Sequence, residues 1–235
     1  MGKNKLDKIA ISLKKEYGDF NHYNKMNPLD ELVFIICSIK RNEKICLLMF
    51  RALKNEFPSY EKMLKASQRK LSKVLSPYGL QNEKSFAIKE ILRSITKSFG
   101  KPTLNPLKKM DDIECESFLV HLRGVGKKVA RCVMLYSLGR EVFPVDSNCW
   151  RSCDRLGIID WRHGKSLSPK DMDLLQSKIP ARLRYSLHVN FVAHGRKICL
   201  SKNPKCHLCV IKKYCSDLRK CEIKNSFRRN SRKEF

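Results

Sequence analysis

Four cysteines near the C-terminus have the spacing of a metal-binding group. They follow the pattern C-x6-C-x2-C-x5-C, at Cys199, Cys206, Cys209 and Cys215. Thiolates this close in sequence can surround one metal centre, and four sulfur ligands suit either zinc or an iron–sulfur cluster. Zinc ribbons usually bring two C-x2-C pairs, whereas this group contains one, at Cys206 and Cys209. With four thiols present, we expect the preceding His194 to be structural or phosphate-facing rather than a ligand.

A glycine turn in the centre of the chain is a candidate phosphate site. Residues 122–130 read Leu-Arg-Gly-Val-Gly-Lys-Lys-Val-Ala, between two helical segments. Glycines permit a tight turn, and the amides that open the next helix attract a phosphate. Such a helix-hairpin-helix grips the DNA backbone without reading its sequence, and an ordinary turn between two helices is the alternative. The predicted contacts are Gly124, Val125, Gly126 and Lys127.

Lys128 and Asp146, which lie eighteen residues apart, are the candidate reactive residues. A lysine amine is a nucleophile once it has lost its proton, and a carboxylate can stabilise a nearby cation. Each residue also has an ordinary explanation, because Asp146 suits the N-cap of the helix after it and Lys128 suits a solvated helix face. Taken singly, the ordinary explanations are favoured.

The composition indicates a folded protein that binds a polyanion. Lys and Arg outnumber Asp and Glu by 49 to 23, the formal charge is +26, and 42% of the residues are hydrophobic. A folded basic chain points first to nucleic acid, with a ribosomal or architectural protein as the alternative. No apolar run reaches about 18 residues and the N-terminus lacks a secretory segment, so we expect no membrane span and no secretion. A cytoplasmic protein at the nucleoid, or a nuclear protein, is expected.

The other cysteines are predicted to be small buried residues with free thiols, as in a reducing compartment. Cys221, in the basic tail, is interpreted as a spare thiol. The six predicted to be buried are Cys37, Cys46, Cys115, Cys132, Cys149 and Cys153.

The elements that must position these residues are predicted to be helices. Apolar spacing from Leu6 to Tyr17 indicates a first helix, and Asn27 and Pro28 match the cap and first position of a second. No alternating run with an Asn-Gly or Asp-Gly turn argues for a hairpin. Further helices are predicted over residues 43–57, 61–75, 83–99, 111–121, 126–138 and 147–156, with two or three more before the cysteines.

Taken together, these segments resemble the endonuclease III family of DNA glycosylase/AP lyases over roughly residues 20–216. The matching segments are Leu122-x-Gly-Val-Gly-x-Lys128-x-Ala, Pro144-Val-Asp146-Ser-Asn, His194-Gly-Arg and the cysteine pattern. The resemblance implies an all-α, two-domain helical fold with a cleft between the domains. A six-helix barrel with the helix-hairpin-helix would span residues 22–134. Residues 1–21 and 135–216 would form the iron–sulfur domain, and residues 217–235 a basic tail.

The resemblance also implies roles for individual residues. The four cysteines would hold a 4Fe-4S cluster, and a monomer would bind double-stranded DNA containing a damaged, modified or abasic site. Lys128 would form a Schiff base with the sugar of a flipped nucleotide, followed by β-elimination, while Asp146 would stay ionised and stabilise the cationic sugar. Leu80 would fill the gap left by the flipped base, with a buried core leucine as the alternative. Arg196 and Lys205, beside the cysteine loop, are predicted to contact the DNA backbone.

One loop departs from the family pattern. Family members commonly carry a glutamine followed by Thr-Asp, whereas Lys40 stands at the glutamine position here, followed by Arg41-Asn42-Glu43. Lys40 is therefore a candidate contact to the opposing strand or to a phosphate. Damaged pyrimidines are the plain interpretation of the substrate. A mismatched thymine or uracil, or a modified cytosine, is the alternative, because residues 144–148 are similar to plant 5-methylcytosine glycosylases.

Two other classes of protein remain as rivals. One is a non-catalytic DNA-binding protein on the same scaffold, against which the presence of both Lys128 and Asp146 argues. The other is a zinc-stabilised protein associated with RNA or the ribosome.

Overall fold

The computed structural model describes residues 3–21, 24–159 and 167–218. Within those ranges the regular structure is α-helical or 3₁₀-helical, without strands, which confirms the all-α prediction. Trp161, Cys221 and most of the basic tail lie outside the described residues. The α-helices are α1 (Lys3–Tyr17), α2 (Pro28–Ser38), α3 (Glu43–Glu56), α4 (Tyr60–Lys65), α5 (Gln68–Leu75), α6 (Gln81–Phe99), α7 (Asp112–His121), α8 (Lys127–Ser137), α9 (Ser147–Arg155), α10 (Pro169–Lys178) and α11 (Arg184–Lys197).

The predicted start of α2 is confirmed in detail. Oδ1 of Asn27 accepts hydrogen bonds from the backbone N–H groups of Leu29 at 2.9 Å and Asp30 at 3.2 Å. Pro28 is the first helical residue, where its missing N–H costs nothing because that group has no partner within a helix. The local pattern of cap and proline therefore determines where α2 begins, and most residues of this helix are buried.

The helix predicted over residues 61–75 is wrong, because the structure contains two helices there, α4 and α5. The hydroxyl of Ser67 caps α5 by accepting from the backbone N–H of Lys70 at 3.2 Å. The Nζ of Lys89, on α6, donates to the carbonyl oxygens of Leu64 and Ala66, where α4 ends. A side chain distant in sequence thus provides hydrogen bonds to the carbonyl oxygens at the end of α4. Apolar spacing alone does not predict this break between the helices.

The chain divides into two compact units, Tyr23–Arg140 and a discontinuous unit made of Met1–His22 and Glu141–Phe235. We call them the continuous unit and the split unit. In the continuous unit, α2 packs against α3, α6 and α8. Leu32, Val33 and Ile36 of α2 are almost fully buried there.

The split unit has a core of its own around α11, which packs against α1 and α9. Phe143 and Phe191 are fully buried in it, together with Ile9 and Leu13 from α1. Complete burial of such side chains contributes roughly 2 kcal/mol each relative to exposure. The N-terminal helix is therefore an integral part of the unit that carries the cysteine group.

The six cysteines predicted to be buried are buried and have free thiols, as expected. Among the helices that the structure describes, none combines the length and the apolar character needed to cross a membrane.

Candidate functional site

The central glycine turn joins α7 to α8. Gly124 has φ +80°, a left-handed conformation that favours glycine, and the N–H of Val125 donates to the carbonyl of Leu122 at 3.0 Å. Val125 is buried, whereas both glycines are exposed. A Cβ placed on Gly124 or Gly126 would meet no heavy atom within 4 Å. The backbone of the turn therefore faces open space, as a seat for a phosphate requires.

The two lysines that follow the turn have different surroundings. Gly126 caps α8, and Lys127 and Lys128 are its first two residues. The Nζ of Lys127 lies 3.1 Å from Oε1 of Glu116, whose other carboxylate oxygen accepts from Nε of Arg131 at 2.5 Å. Glu116 therefore offsets part of the charge of Lys127, which the sequence predicts to be a phosphate contact. Lys128 is half-buried one residue further along the helix.

Glu31, which the sequence pattern did not single out, is a buried carboxyl group near Lys128. It is 1% exposed, and its Oε2 accepts from the backbone N–H of Lys25 at 2.6 Å. Burial raises the pKa of Glu31 to about 7, while the Lys25 N–H and the positive charges of Lys25 and Lys128 act in the opposite direction. Its position among the apolar residues of α2 gave no signal, because a charged residue there looks like one polar interruption of a core helix.

Asp146 caps α9 in the split unit, so the ordinary explanation for this residue is confirmed. Its Oδ1 accepts from the backbone N–H groups of Asn148 at 2.9 Å and Cys149 at 2.8 Å. Its Oδ2 accepts from the side-chain amide of Asn148 at 2.9 Å. Three N–H donors and the positive end of a helix stabilise a negative charge. Capping therefore holds the carboxylate in a fixed orientation, which also suits a reactive role.

A hydrogen-bonded chain leads from Asp146 to the cysteine group. Oδ1 of Asn148 accepts from Nη2 of Arg151 at 2.8 Å, and Nε of Arg151 donates to the carbonyl of Cys199 at 2.7 Å. Nη2 also donates to the carbonyl of Gly195 at 2.9 Å. A Cβ on Gly195 would lie 2.6 Å from Cβ of Asn148, so this position in His194-Gly-Arg requires glycine. The hydrogen bonds of Asn148 and Arg151 make them candidate supports of Asp146, a role that sequence spacing alone did not reveal.

The structure brings the four cysteines together around one cavity of about 80 Å³. Arg155 borders it, and its Nη1 donates to Sγ of Cys199 at 3.2 Å and to the carbonyl of Leu200 at 2.8 Å. By donor type alone, four thiolates suit either an iron–sulfur cluster or zinc. Among residues 3–21, 24–159 and 167–218, no three His, Cys, Asp or Glu side chains converge as ligands of a single ion. The lining residues are Arg155, Ile198, Cys199, Pro204, Cys206, Cys209, Cys215, Asp217 and Leu218.

His194 connects the N-terminal helix to this cavity. It is 1% exposed, so a phosphate-facing position is wrong and a structural one is confirmed. Its Nδ1 lies 2.9 Å from the hydroxyl of Tyr17 on α1, and its Nε2 lies 3.5 Å from Sγ of Cys209. Because the ring bridges α1 and the cysteine loop, the two segments are held together by one side chain.

The predicted DNA contacts outside the glycine turn lie at the surface. Lys40 is exposed and Leu80 is half-buried, outside the buried core. Both have positive φ, +55° and +56°, which is uncommon for residues other than glycine. Arg196, near the end of α11, and Lys205, just before Cys206, are exposed.

Known proteins are similar to this chain over most of its length. A family model described as HhH-GPD superfamily base excision DNA repair protein matches residues 36–177. A predicted DNA glycosylase of Arabidopsis thaliana is 30% identical over 188 residues, which cover 80% of this chain and 62% of that protein. An endonuclease III of Rickettsia prowazekii is 28% identical over 189 residues, covering 80% of this chain and 83% of that protein.

The solved structure of a thermostable thymine-DNA glycosylase has the same fold. It matches with a TM-score of 0.79 at 19% identity and covers 93% of this chain and 98% of that one. Longer plant proteins are also similar, and the chain spans 9% of the length of two of them. Because the family model covers more than half of the sequence, the chain belongs to the HhH-GPD superfamily of base excision DNA repair proteins and is endonuclease III-like.

Proposed function

We propose that the protein is a bifunctional DNA glycosylase and AP lyase that acts on double-stranded DNA with a damaged, modified or abasic site. The observation that carries the proposal is the position of Lys128, the second residue of α8, directly behind the open turn at Gly124 and Gly126. A phosphate bound by the turn would bring the sugar of a neighbouring nucleotide towards the first turn of α8. In this proposal the continuous unit is the barrel domain, and the split unit is the cluster-bearing domain.

The reaction begins with a nucleotide turned out of the duplex, because the anomeric carbon is inaccessible inside the stack. The neutral amine of Lys128 forms a bond to that carbon, and the base leaves with the bonding electrons and takes up a proton. The sugar ring opens as its oxygen takes up a proton that the Lys128 nitrogen gives up, which leaves a cationic Schiff base on Lys128. Loss of a proton from C2′ then expels the 3′ phosphate and cuts the strand.

Two carboxylates have roles in this scheme. Asp146, held by Asn148 and Cys149, supplies a fixed negative charge that stabilises the cationic sugar and assists the proton transfers. Glu31 interacts with the charge of Lys128 within the continuous unit, so its ionised form stabilises the positive Schiff-base nitrogen. Because its pKa is about 7, this contribution changes with pH near neutrality.

The four cysteines are proposed to hold a 4Fe-4S cluster with a structural purpose. When bound, the cluster would fix the loop between Cys199 and Cys215 as a rigid segment, and no step of the base removal passes through it. Arg196 and Lys205 would then lie on an ordered surface that attracts DNA phosphates. Iron content and broad visible absorption support this proposal, whereas a colourless protein loaded with zinc contradicts it.

Damaged pyrimidines are the proposed substrates, in keeping with the endonuclease III-like character of the chain. A mismatched thymine is the second candidate, and two observations favour it. Lys40 stands where the family commonly has glutamine, and a thymine-DNA glycosylase shares the fold. Single-turnover excision rates distinguish these candidate substrates. They are measured on duplexes of otherwise identical sequence that carry an oxidised pyrimidine, a G·T or G·U mismatch, or 5-methylcytosine.

Borohydride trapping on a duplex with one abasic site tests the role of Lys128. The wild-type protein and the control Lys97→Ala, which removes an exposed lysine from α6 of the same unit, are expected to give a covalent protein–DNA adduct, and Lys128→Ala none. Normal trapping by Lys128→Ala would show that the nucleophile is another residue. If cluster-loaded wild-type protein binds the abasic duplex, neither traps nor cuts it, and releases no base from any of the substrate duplexes above, the non-catalytic rival is correct.

A further inference from the structure

Two exposed loops of the continuous unit hold their central residues in a strained backbone conformation. Lys40 follows α2 and has φ +55°, and Leu80 precedes α6 and has φ +56°. Residues with a Cβ rarely adopt this left-handed conformation, because the Cβ crowds the neighbouring carbonyl oxygen. Such strain persists where the surroundings impose it. The contacts around each loop therefore show what imposes it.

The first contact runs from the Lys40 loop to the Leu80 loop. Nε of Arg41 donates to the carbonyl oxygen of Tyr78 at 2.9 Å. The guanidinium lies directly against Gly79, where an added Cβ would collide with Nη2 of Arg41. Gly79 itself has φ +77°, a backbone conformation that favours glycine. The residue next to Lys40 is thus fixed to the residues just before Leu80.

The second contact runs in the opposite direction. Lys84, four residues after Leu80, is 4% exposed and reaches the end of α2. Its Nζ donates to the carbonyls of Ile36 at 2.7 Å, Cys37 at 2.9 Å and Ile39 at 3.0 Å. A lysine ammonium has three donors, and all three are used here. These carbonyls form the negative end of α2, where a cation is favoured.

We propose that Arg41 and Lys84 form a reciprocal clamp that makes the Lys40 and Leu80 loops one rigid element for reading DNA around an extruded base. The inference rests on the proposed function for its purpose. Arg41 in the Lys40 loop binds a carbonyl of the Leu80 loop. Lys84, in the first turn of α6 directly after the Leu80 loop, binds carbonyls at the end of α2 directly before the Lys40 loop, so neither loop can shift alone. Leu80 fills the position that the extruded base leaves. Lys40 faces the opposite strand at a fixed distance from Leu80. Arg41 is a positioning residue, because it acts through Lys40 and Leu80 rather than on the DNA.

The clamp requires a guanidinium group at position 41, because a positive charge alone would not hold both loops. Arg41 reaches the Tyr78 carbonyl with its Nε, while Nη1 lies 3.3 Å from the carbonyl of Lys40 in its own loop. A planar guanidinium can hold both oxygens at once, whereas a lysine ammonium is a single point of charge on a flexible stem. Arg41→Lys is therefore expected to keep the charge and lose most of the positioning.

Amide hydrogen exchange tests the clamp without DNA. The variants are Arg41→Ala, Arg41→Lys and the control Arg51→Ala, which removes an exposed arginine from α3 of the same unit. Arg41→Ala is expected to reduce protection on the order of tenfold in both loops, and Arg51→Ala in neither. Loss of protection confined to the Lys40 loop, or an equal loss in Arg51→Ala, overturns the clamp.

Binding to abasic duplexes tests the reading role. Dissociation constants are measured for four duplexes that carry a tetrahydrofuran site opposite A, C, G or T, together with an undamaged duplex. In Arg41→Ala the preference among the four opposite bases is expected to fall on the order of tenfold, since misplacement of a contact by about 1 Å has effects of that size or larger. Affinity for undamaged DNA should fall no further than in Arg51→Ala.

The two arms separate this inference from the proposed function. An unchanged preference among opposite bases in Arg41→Ala overturns the reading role. If the wild-type protein binds abasic and undamaged duplexes equally, the proposed function fails, and the exchange measurement still decides whether the clamp exists.

Discussion

Arg151 donates from Nε to the carbonyl oxygen of Cys199 at 2.7 Å, which joins α9 to the first residue of the cysteine group. The same guanidinium holds Asn148, and Asn148 holds the carboxylate of Asp146. A substitution at either end of this series of hydrogen bonds, at Asp146 or at Cys199, is therefore expected to alter the position of the residue at the other end.

Arg151→Ala should weaken both the cysteine loop and the activity. The lost hydrogen bonds leave partly buried carbonyls unpaired, at a cost of about 2 kcal/mol in unfolding free energy. Iron per protein and the single-turnover cleavage rate on abasic DNA are expected to fall together. Arg182→Ala, which removes an exposed arginine paired with Asp7 in the same unit, is the matched control. A full loss of rate with unchanged iron content and stability would contradict the structural linkage.

The two glycines of the α7–α8 turn should respond differently to alanine. Gly126 has φ −86°, which alanine adopts freely, so Gly126→Ala should lower DNA affinity and leave stability nearly unchanged. Gly124 has φ +80°, so Gly124→Ala should also destabilise the protein by about 1 kcal/mol. Binding to an abasic duplex and urea unfolding of both variants give the comparison. Equal affinities for wild type and Gly126→Ala would show that phosphates do not approach this turn.

Glu31 should make stability depend on pH in a defined direction. Its pKa is about 7 in the folded protein against an ordinary value of 4.5, so between these values the folded protein keeps a proton that the unfolded chain has released. The contribution of Glu31 to unfolding free energy therefore falls as the pH rises from 4.5 to 7, by about 3 kcal/mol in total. Glu31→Gln should flatten this part of the pH profile, and the exposed-residue control Glu83→Gln should not. A wild-type slope retained in Glu31→Gln would assign the dependence to another group.

Tyr17 should influence a cluster bound by the cysteines. A ligand thiolate has no proton to give, so Nε2 of His194 must donate to Cys209, and Nδ1 must then accept from the Tyr17 hydroxyl. Tyr17→Phe removes the bond that fixes this arrangement and weakens the hydrogen bond to sulfur. The cluster's reduction potential, measured by voltammetry, should therefore become more negative than in wild type or in the control Tyr185→Phe. An unchanged potential would mean that His194 does not donate to the sulfur.

Local chemistry in the sequence was sufficient to predict several features of the structure. The Asn27–Pro28 pair identified the start of α2, because capping depends on residues next to each other. The glycine spacing identified the α7–α8 turn, and Asp146 was recognised as a helix cap. The catalytic and metal-binding roles of Lys128, Asp146 and the cysteines stay predictions that the experiments above address.

The missed features depend on partners far apart in the chain. Lys84 and Ile36 are separated by 48 positions, as are Arg151 and Cys199. Lys89, which donates to the carbonyl oxygen of Leu64 at the break between α4 and α5, lies 25 positions from it. Apolar periodicity reports which face of a helix is buried, but it does not report which buried carbonyl a distant cation will reach. Glu31 is a similar case, because its raised pKa follows from complete burial.

The divided course of the split unit has a consequence for biosynthesis. The apolar face of α1, with Ile9 and Leu13, is made long before its partner surface on α11, around Phe191. At translation rates of about 5–20 residues per second, that face waits on the order of ten seconds or more. The continuous unit is complete before the rest of the split unit emerges. A nascent chain therefore passes through a stage with one finished unit and an uncovered N-terminal helix, which is the stage at which a chaperone has most reason to bind.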